Sequence, residues 1–487
     1  MLFNSIDFLL FFPIVVLIYF IVPRKIRYIW LLLCSYYFYM SWNPKYAVLM
    51  LASTVITYVC ALFLGKSDLS YRGKKLVLCI CLLSNLGILA VFKYAGFIMD
   101  NINRVLAICG IELIEKRLDL LLPVGISFYT FQALSYFIDV YRGTIKAEQN
   151  FFRYALFVSF FPQLVAGPIE RSGNLLKQVN CIDKIRVWDL DRIKDGVLLI
   201  FWGLFQKLVI ADRISLLVNQ VYNNYYMYGF AEIAIATILF AFQIYCDFGG
   251  YSNIAQGTAK VLGIHLMQNF RMPYLAIDIK DFWSRWHISL TSWFTDYLYI
   301  PLGGNRKGTC RKYVNYIIVF AVSGLWHGAS WNFIVWGMLH GFFQIVGDVK
   351  KRIIAREKNV WKWASGFVRI VKIIITFVLV DFAWLFFASN SLSDAIAMIR
   401  QAFCVVHTTN IYELGLDKTN WIILLLALLV LIIVDILHEK NMSVFKLVSN
   451  RCLCIRWAVY LGLIWSIILL GIYGVKYDTS QFIYFQF

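Results

Sequence analysis

Long apolar runs recur from one end of this chain to the other, and they decide its fold class before any motif is considered. The candidate spans are 6–22, 28–42, 46–64, 76–98, 120–141, 151–167, 195–218, 230–248, 313–330, 331–348, 367–388, 421–437 and 457–474. In lipid every backbone N–H and C=O must find its partner within the protein, so runs of this kind fold as helices. The chain is 61% hydrophobic and 15% charged, where a soluble protein carries about a quarter charged residues. An all-α polytopic membrane protein is predicted. The first run, IDFLLFFPIVVLIYFIV, has no basic region before it and no small-residue cleavage site after it, so it is expected to be a retained span. The longest polar stretch is roughly 168–195, so no soluble domain is expected.

The formal charge of +18 comes from short loops between runs: RKIR at 24–27, RGKK at 72–75, RKGTCRK at 306–312 and KKR at 350–352. This is the positive-inside pattern, and it argues against nucleic acid, which needs one continuous basic surface. Attraction to anionic lipid headgroups adds to it. With these loops cytoplasmic, residues 313–348 run outward and return, turning at 328–332. The eleven cysteines form no CxxC pair and no zinc spacing with histidine, so they read as small packing residues and no metal is expected. P-loop, GxGxxG, HExxH and GxSxG patterns are absent.

The outer part of that hairpin, SGLWHGASWNF (323–333), carries His327. Counted from Tyr313 it lies about 21 Å along a helix, in the outer membrane half. Arms of about 25–27 Å are short for a ~30 Å hydrocarbon core, so the hairpin is expected deep in a bundle, at the floor of an outward-facing depression. An intramembrane histidine is a satisfied interior contact or a reaction site, and this position alone leaves the two even. A buried imidazole that stays neutral can accept a proton, which suits a general base for a hydroxyl attacking an acyl carbonyl. Gly328 beside it would admit close approach of substrate.

The segment 278–305 is too polar to span and too aromatic for a solvated loop, so amphipathic or re-entrant helices are predicted. It holds Asp281, Arg285, His287 and Asp296. His287 by itself reads as part of an interfacial helix, and His340 more firmly as structural. His265, His407 and His438 receive no role. Asp247 ends the 230–248 run, where it would cap a helix or pair with arginine. Asp381 reads as an interior hydrogen-bonding residue. Tyr484, in the terminal TSQFIYFQF, is an interfacial anchor or a phenol presented to the outer cavity.

Five stretches in order, SFYTFQALSYFIDVYRG (127–143), FFPQLVAGPIER (161–171), QIYCDFGGYSNIAQG (243–257), FWSRWHISLTSWFTDYLYIPLGGNR (282–306) and SGLWHGASWNFIVWGMLHG (323–341), resemble the membrane-bound O-acyltransferase (MBOAT) family. The likeness is to its AlgI-type alginate O-acetylation branch, with DltB more distant, and it covers nearly the whole chain. Ser284 and Gly249 depart from that pattern, standing where relatives often have a basic residue and a serine.

The resemblance implies one domain, 1–487: N-terminal helices 1–119, a core 120–348, and C-terminal helices 349–487 with the aromatic terminus. The fold implied is a helical bundle with an outward-facing funnel joined to a cytoplasmic donor entrance. It implies acyl transfer from a cytoplasmic thioester, with acetyl-CoA as donor, to a hydroxyl outside, in O-acetylation of an exopolysaccharide or cell-wall polysaccharide. His327 maps to the family's motif histidine and His287 to its second, one toward each face. Tyr484 is the candidate acyl relay. Asp247, Arg285, Asp296, Trp326, Asn332 and Gln132 are the candidate supports. An extracytoplasmic acyltransferase or esterase-like partner, a polysaccharide acceptor and membrane lipid complete the expected partners. The alternatives are a lipid O-acyltransferase, D-alanyl transfer to teichoic acid, and a transporter without chemistry, for which no paired half-repeat is visible.

Overall fold

The computed structural model of the chain describes residues 1–66, 69–111, 122–354, 365–404, 410–473 and 482–483. Among them there are helices and no strand, and the chain is an all-α polytopic membrane protein. It divides into two compact units: residues 1–197 with 254–267, and residues 198–253 with 268–487.

The first unit contains α1 (Ile6–Ile21), α2 (Arg27–Met40), α3 (Pro44–Leu64), α4 (Tyr71–Ile108), α5 (Ile126–Tyr141), α6 (Phe151–Ser159), α7 (Phe161–Leu164), α8 (Leu175–Asn180) and the start of α9 (Leu190–Leu204). Short polar side chains open several of these helices. Ser5, Asn43, Ser70 and Asn150 each accept a hydrogen bond from a first-turn N–H that has no partner within the helix. Between apolar helices there is little hydrophobic drive in lipid, so polar contacts carry part of the packing. Ser53 Oγ donates to Asn85 Oδ1 at 2.6 Å, tying α3 to α4. The Thr57 and Tyr154 hydroxyls meet at 2.7 Å, tying α3 to α6.

The expected single span 151–167 is instead two helices. Pro162 has no N–H to continue the α6 ladder toward the Val158 carbonyl, and Phe160 turns extended at φ −53°, ψ 109°. Ser35 Oγ on α2 accepts the Phe161 N–H at 3.1 Å, satisfying the donor that the break exposes.

The second unit holds the end of α9, a π-helical stretch at Phe205–Ala211, α10 (Asp212–Asn223), α11 (Phe230–Val261), α12 (Ile279–Arg285), α13 (Ile288–Phe294), a π-helical turn at Thr295–Tyr299, α14 (Gly308–His327), α15 (Trp331–Ile354), α16 (Ser365–Ala388), α17 (Leu392–Cys404), α18 (Lys418–Glu439), α19 (Val444–Ser449) and α20 (Leu453–Leu470); the last turns of α11 belong to the first unit. Arg213 is the unit's polar fastener. Its guanidinium donates to Asn420 Oδ1 at 3.0 Å and to the Leu470 carbonyl at 2.6 Å, so α10, α18 and α20 share one cation.

Among the described residues six helices are long and apolar enough to cross a membrane: α3, α4, α11, α16, α18 and α20. The sequence predicted more. At 16 and 14 residues, α1 and α2 reach only about 24 and 21 Å. Arg311 and Lys312 near the start of α14, and Asn332, His340 and Gln344 within α15, dilute their apolar windows.

Candidate active site

The hairpin of α14 and α15 is built on glycine. A Cβ on Gly324 would lie 2.1 Å from the Phe333 carbonyl oxygen, and one on Gly337 would lie 2.1 Å from that of Phe320. The two helices therefore pack backbone to backbone, which only glycine allows. The turn spans 328–330, inside the predicted 328–332, and His327 is the last residue of α14. Gly328 is extended at φ −159°. The space beside its Cα is filled on one side by the Phe333 ring, 2.2 Å from where a Cβ would be, so the glycine is needed for that packing.

His287 is held differently. After α12 the chain turns extended at Trp286, and His287 adopts φ 45°, ψ 52°. For a residue with a Cβ this left-handed conformation costs on the order of 1 kcal/mol or more and needs imposing from outside. Residues 269–271 impose it: Arg271 N–H donates to the Arg285 carbonyl and Ile288 N–H to the Asn269 carbonyl, both at 2.9 Å. Asn269 Oδ1 accepts from Ser289 N–H at 3.3 Å and Ser289 Oγ at 2.9 Å, and it lies 3.2 Å from His287 Nδ1. A backbone N–H can only donate, so that Asn269 atom is the oxygen, and His287 Nδ1 must carry the proton. Burial pushes this imidazole down to about 3, so it is neutral near pH 7.

The two histidines were expected toward opposite faces; their rings are neighbours, 6.4 Å apart between centroids. Trp326 touches both, at 4.9 Å from His327 and 5.8 Å from His287. Trp336 and Phe387 close on His327 at 5.0 and 5.3 Å. His340, read as structural, meets Trp336 edge-on at 5.0 Å and accepts the Trp283 indole N–H at 3.3 Å.

Two cavities flank this cluster within the second unit. The larger, about 770 Å³, is walled by α12 to α16 and carries five lysines against two aspartates. Lys312 pairs with Asp348 and Lys351 with Asp278, leaving Lys280, Lys350 and Lys372 as uncompensated charge among the described lining residues. The smaller, about 400 Å³, is lined mostly by amides, hydroxyls and carboxylates, with Lys207. Ser323 lines the first and Gly328 the second. His327, 3% exposed, lines neither and lies in the wall between these two points of the chain.

The remaining candidates are dispersed. Asp247 neither ends nor caps a helix, because α11 runs on to Val261. Nor does it pair with arginine: it binds Lys207 Nζ at 2.6 Å and accepts the Ile483 N–H at 2.8 Å. Asn332 lines the small cavity and spends its amide nitrogen on the Ser389 and Phe386 carbonyls at 2.8 and 3.3 Å. Arg285 is engaged by Asp281 at 2.8 Å and by Glu439 at 2.6 and 3.2 Å, an anchor between α12 and α18. Asp296 sits half-buried on the π-helical turn whose Thr295 and Tyr299 line the large cavity. Gln132 lies in the first unit, where its carboxamide donates to the Phe157 carbonyl. Tyr484 lies outside the described residues.

Sequence reasoning missed Lys207, Asn269 and Trp336. Lys207 stands alone in the apolar run 198–211, which is itself a signal, since a lone intramembrane cation needs a carboxylate. Asn269 carries no such signal.

A profile of the membrane-bound O-acyltransferase family, MBOAT, matches residues 147–389. The "Probable alginate O-acetylase AlgI" of Azotobacter vinelandii is 36% identical over 404 residues, 83% of this chain and 78% of that protein. The chain belongs to the MBOAT family. A second relative, the "Peptidoglycan O-acetyltransferase" of Helicobacter pylori, is 34% identical over 431 residues, 82% of this chain and 79% of its own. A third, the "Teichoic acid D-alanyltransferase" of Bacillus subtilis, is 27% identical over 290 residues, 55% and 69%. This MBOAT protein is a multi-pass membrane O-acyltransferase. The profile match contains both histidines and every described candidate support except Gln132.

Proposed function

We propose that the chain moves an acetyl group from acetyl-CoA, bound in the lysine-lined cavity on the cytoplasmic side, to a hydroxyl presented in the small polar cavity, in O-acetylation of an extracellular or cell-wall polysaccharide. The observation that carries this is the position of His327 in the partition, with Ser323 on the donor cavity and Gly328 on the acceptor cavity. Unpaired lysines suit the phosphates of a nucleotide thioester. The small cavity suits a hydroxyl acceptor better than a lipid alcohol, because its wall is polar.

In this reading His327 takes the proton of the acceptor hydroxyl as its oxygen attacks the thioester carbonyl. The tetrahedral intermediate then expels the thiolate, which receives that proton and leaves as the free thiol of CoA. His287, locked by Asn269, steadies the donor's acyl end. One ring of the partition, Trp326 or Phe387, must swing aside for the two substrates to meet.

A second route is favoured by one contact: Ile483 lines the small cavity and is pinned to Asp247. Tyr484 follows it in sequence and would hold the acetyl group before an extracytoplasmic partner takes it. Polysaccharide O-acetyl content in cells separates the cases. His327→Ala should abolish it with membrane insertion intact, and retained product would sink the role given to His327. Unaltered content in Tyr484→Phe would remove the relay alone.

A further inference from the structure

The small cavity holds two buried acceptors with no hydrogen-bond partner, Gln243 Oε1 and Asn332 Oδ1. Their residues are 7% and 1% exposed. The Asn332 amide nitrogen is already committed to two backbone carbonyls, so its oxygen is the end left over. A buried carbonyl oxygen left without a donor is destabilising, so both oxygens are poised for hydroxyl or N–H donors brought by a ligand.

Charge narrows the choice. The charged lining residues are Lys207, Asp212 and Asp247. Lys207 Nζ lies 2.8 Å from Asp212 and 2.6 Å from Asp247, so its charge is met twice and the lining sums to one negative charge. A ligand carboxylate would be desolvated here against that negative charge, with the cation already engaged. The aromatic rings of Tyr222, Phe240 and Phe333 also border the space and offer faces for C–H groups.

Resting on the transfer reading above, we propose that this cavity seats an uncharged polyhydroxylated unit, a neutral sugar residue, and excludes uronates. The Gln243 and Asn332 carboxamide oxygens each accept a hydrogen from one of its hydroxyls. Gln243 is then a positioning residue for the acceptor, one helical turn before Asp247 on α11.

The test uses the full chain in lipid nanodiscs with acetyl-CoA and two tetramers, neutral tetra-N-acetylglucosamine and anionic tetragalacturonate. CoA release and O-acetyl mass are followed. The neutral tetramer should be acetylated with kcat/KM at least tenfold above the uronate. Gln243→Leu should raise its KM about tenfold with kcat within twofold, and Gln243→Asn, which keeps a neutral carboxamide oxygen, should recover part of the loss. Equal or better use of the uronate overturns the inference, as does an unmoved KM in Gln243→Leu. Binding without acetyl-CoA reads the cavity alone. Neutral tetramer bound by the wild type and lost in Gln243→Leu upholds the inference even with no acetyl moved, a pattern that would count against transfer instead. No binding overturns the inference and leaves any measured acetyl-CoA consumption standing.

Discussion

The imidazoles of His287 and His327 lie 6.4 Å apart at 65°, one imposed by a left-handed turn after α12 and the other by the end of α14. Asn269 ties the first of them to its neighbours by fixing the proton on His287 Nδ1. Asn269→Leu should therefore lower transfer on the order of tenfold, the worth of about one hydrogen bond. His327→Ala should cost about 10²–10⁴ if the imidazole is the general base. Rates on acetyl-CoA with purified variants check both. An Asn269→Leu enzyme as fast as wild type would mean that the tautomer lock is irrelevant.

The α14–α15 hairpin tolerates no side chain at its contact. Gly337→Ala would place a methyl 2.1 Å from the Phe320 carbonyl oxygen, and backbone cannot step aside as a side-chain tip would. A loss of about 1–3 kcal/mol or more is expected, read as lower thermal stability and yield in detergent. Gly249→Ser is the contrast. Its Cβ would meet the Tyr245 ring at 3.5 Å, an ordinary contact, so this substitution should change stability by less than about 0.5 kcal/mol.

Asp247 holds the described end of the chain. Asp247→Ala removes one of the two carboxylates around buried Lys207 and the acceptor of the Ile483 N–H. Breaking a buried pair from one side costs about 3–5 kcal/mol, less here because Asp212 remains. Faster hydrogen exchange at the Ile483 amide would report release of the segment. Unchanged exchange would show that Phe482, packed at 4.8 Å on Tyr251, suffices to hold it.

How much of this was legible in the sequence follows from which interactions are local. The spans of α3, α16, α18 and α20 and the turn after His327 depend on runs and glycine positions that are contiguous in the chain. The break at Phe160 was also local; Pro162 stood inside the predicted span and marked it. The meeting of the two histidines was not local. It rests on residues 269–271 pairing with 285–288, and no periodicity reports that. The continuation of α11 past Asp247 was hidden because glycine and polar residues follow it. Those residues are tied to the π-helical stretch after α9 by part-buried contacts such as Asn253 Nδ2 to Gln206 Oε1 at 2.7 Å.

Glu170, in the first unit between α7 and α8, supplies a pH dependence with a definite sign. It is fully buried, and burial raises its carboxyl from 4.5 to about 7 against the opposing hydrogen bonds from Met267 N–H and Asn174 Nδ2 and the nearby Arg171 charge. Below pH 4.5 the group is protonated folded and unfolded alike. Between 4.5 and 7 the folded state holds the proton that the unfolded state has released, so stability falls as pH rises through that window. A shift of that size corresponds to about 3 kcal/mol in full. Glu170→Gln cannot titrate. It also puts an NH₂ where one of the two donors now points, which costs about 1 kcal/mol at every pH. Thermal unfolding at pH 4.5 and pH 8 should therefore show the wild type ahead at low pH and overtaken by Glu170→Gln at high pH. Parallel curves across the window would mean that the carboxyl is solvated in the folded protein and that its burial is not what sets its titration.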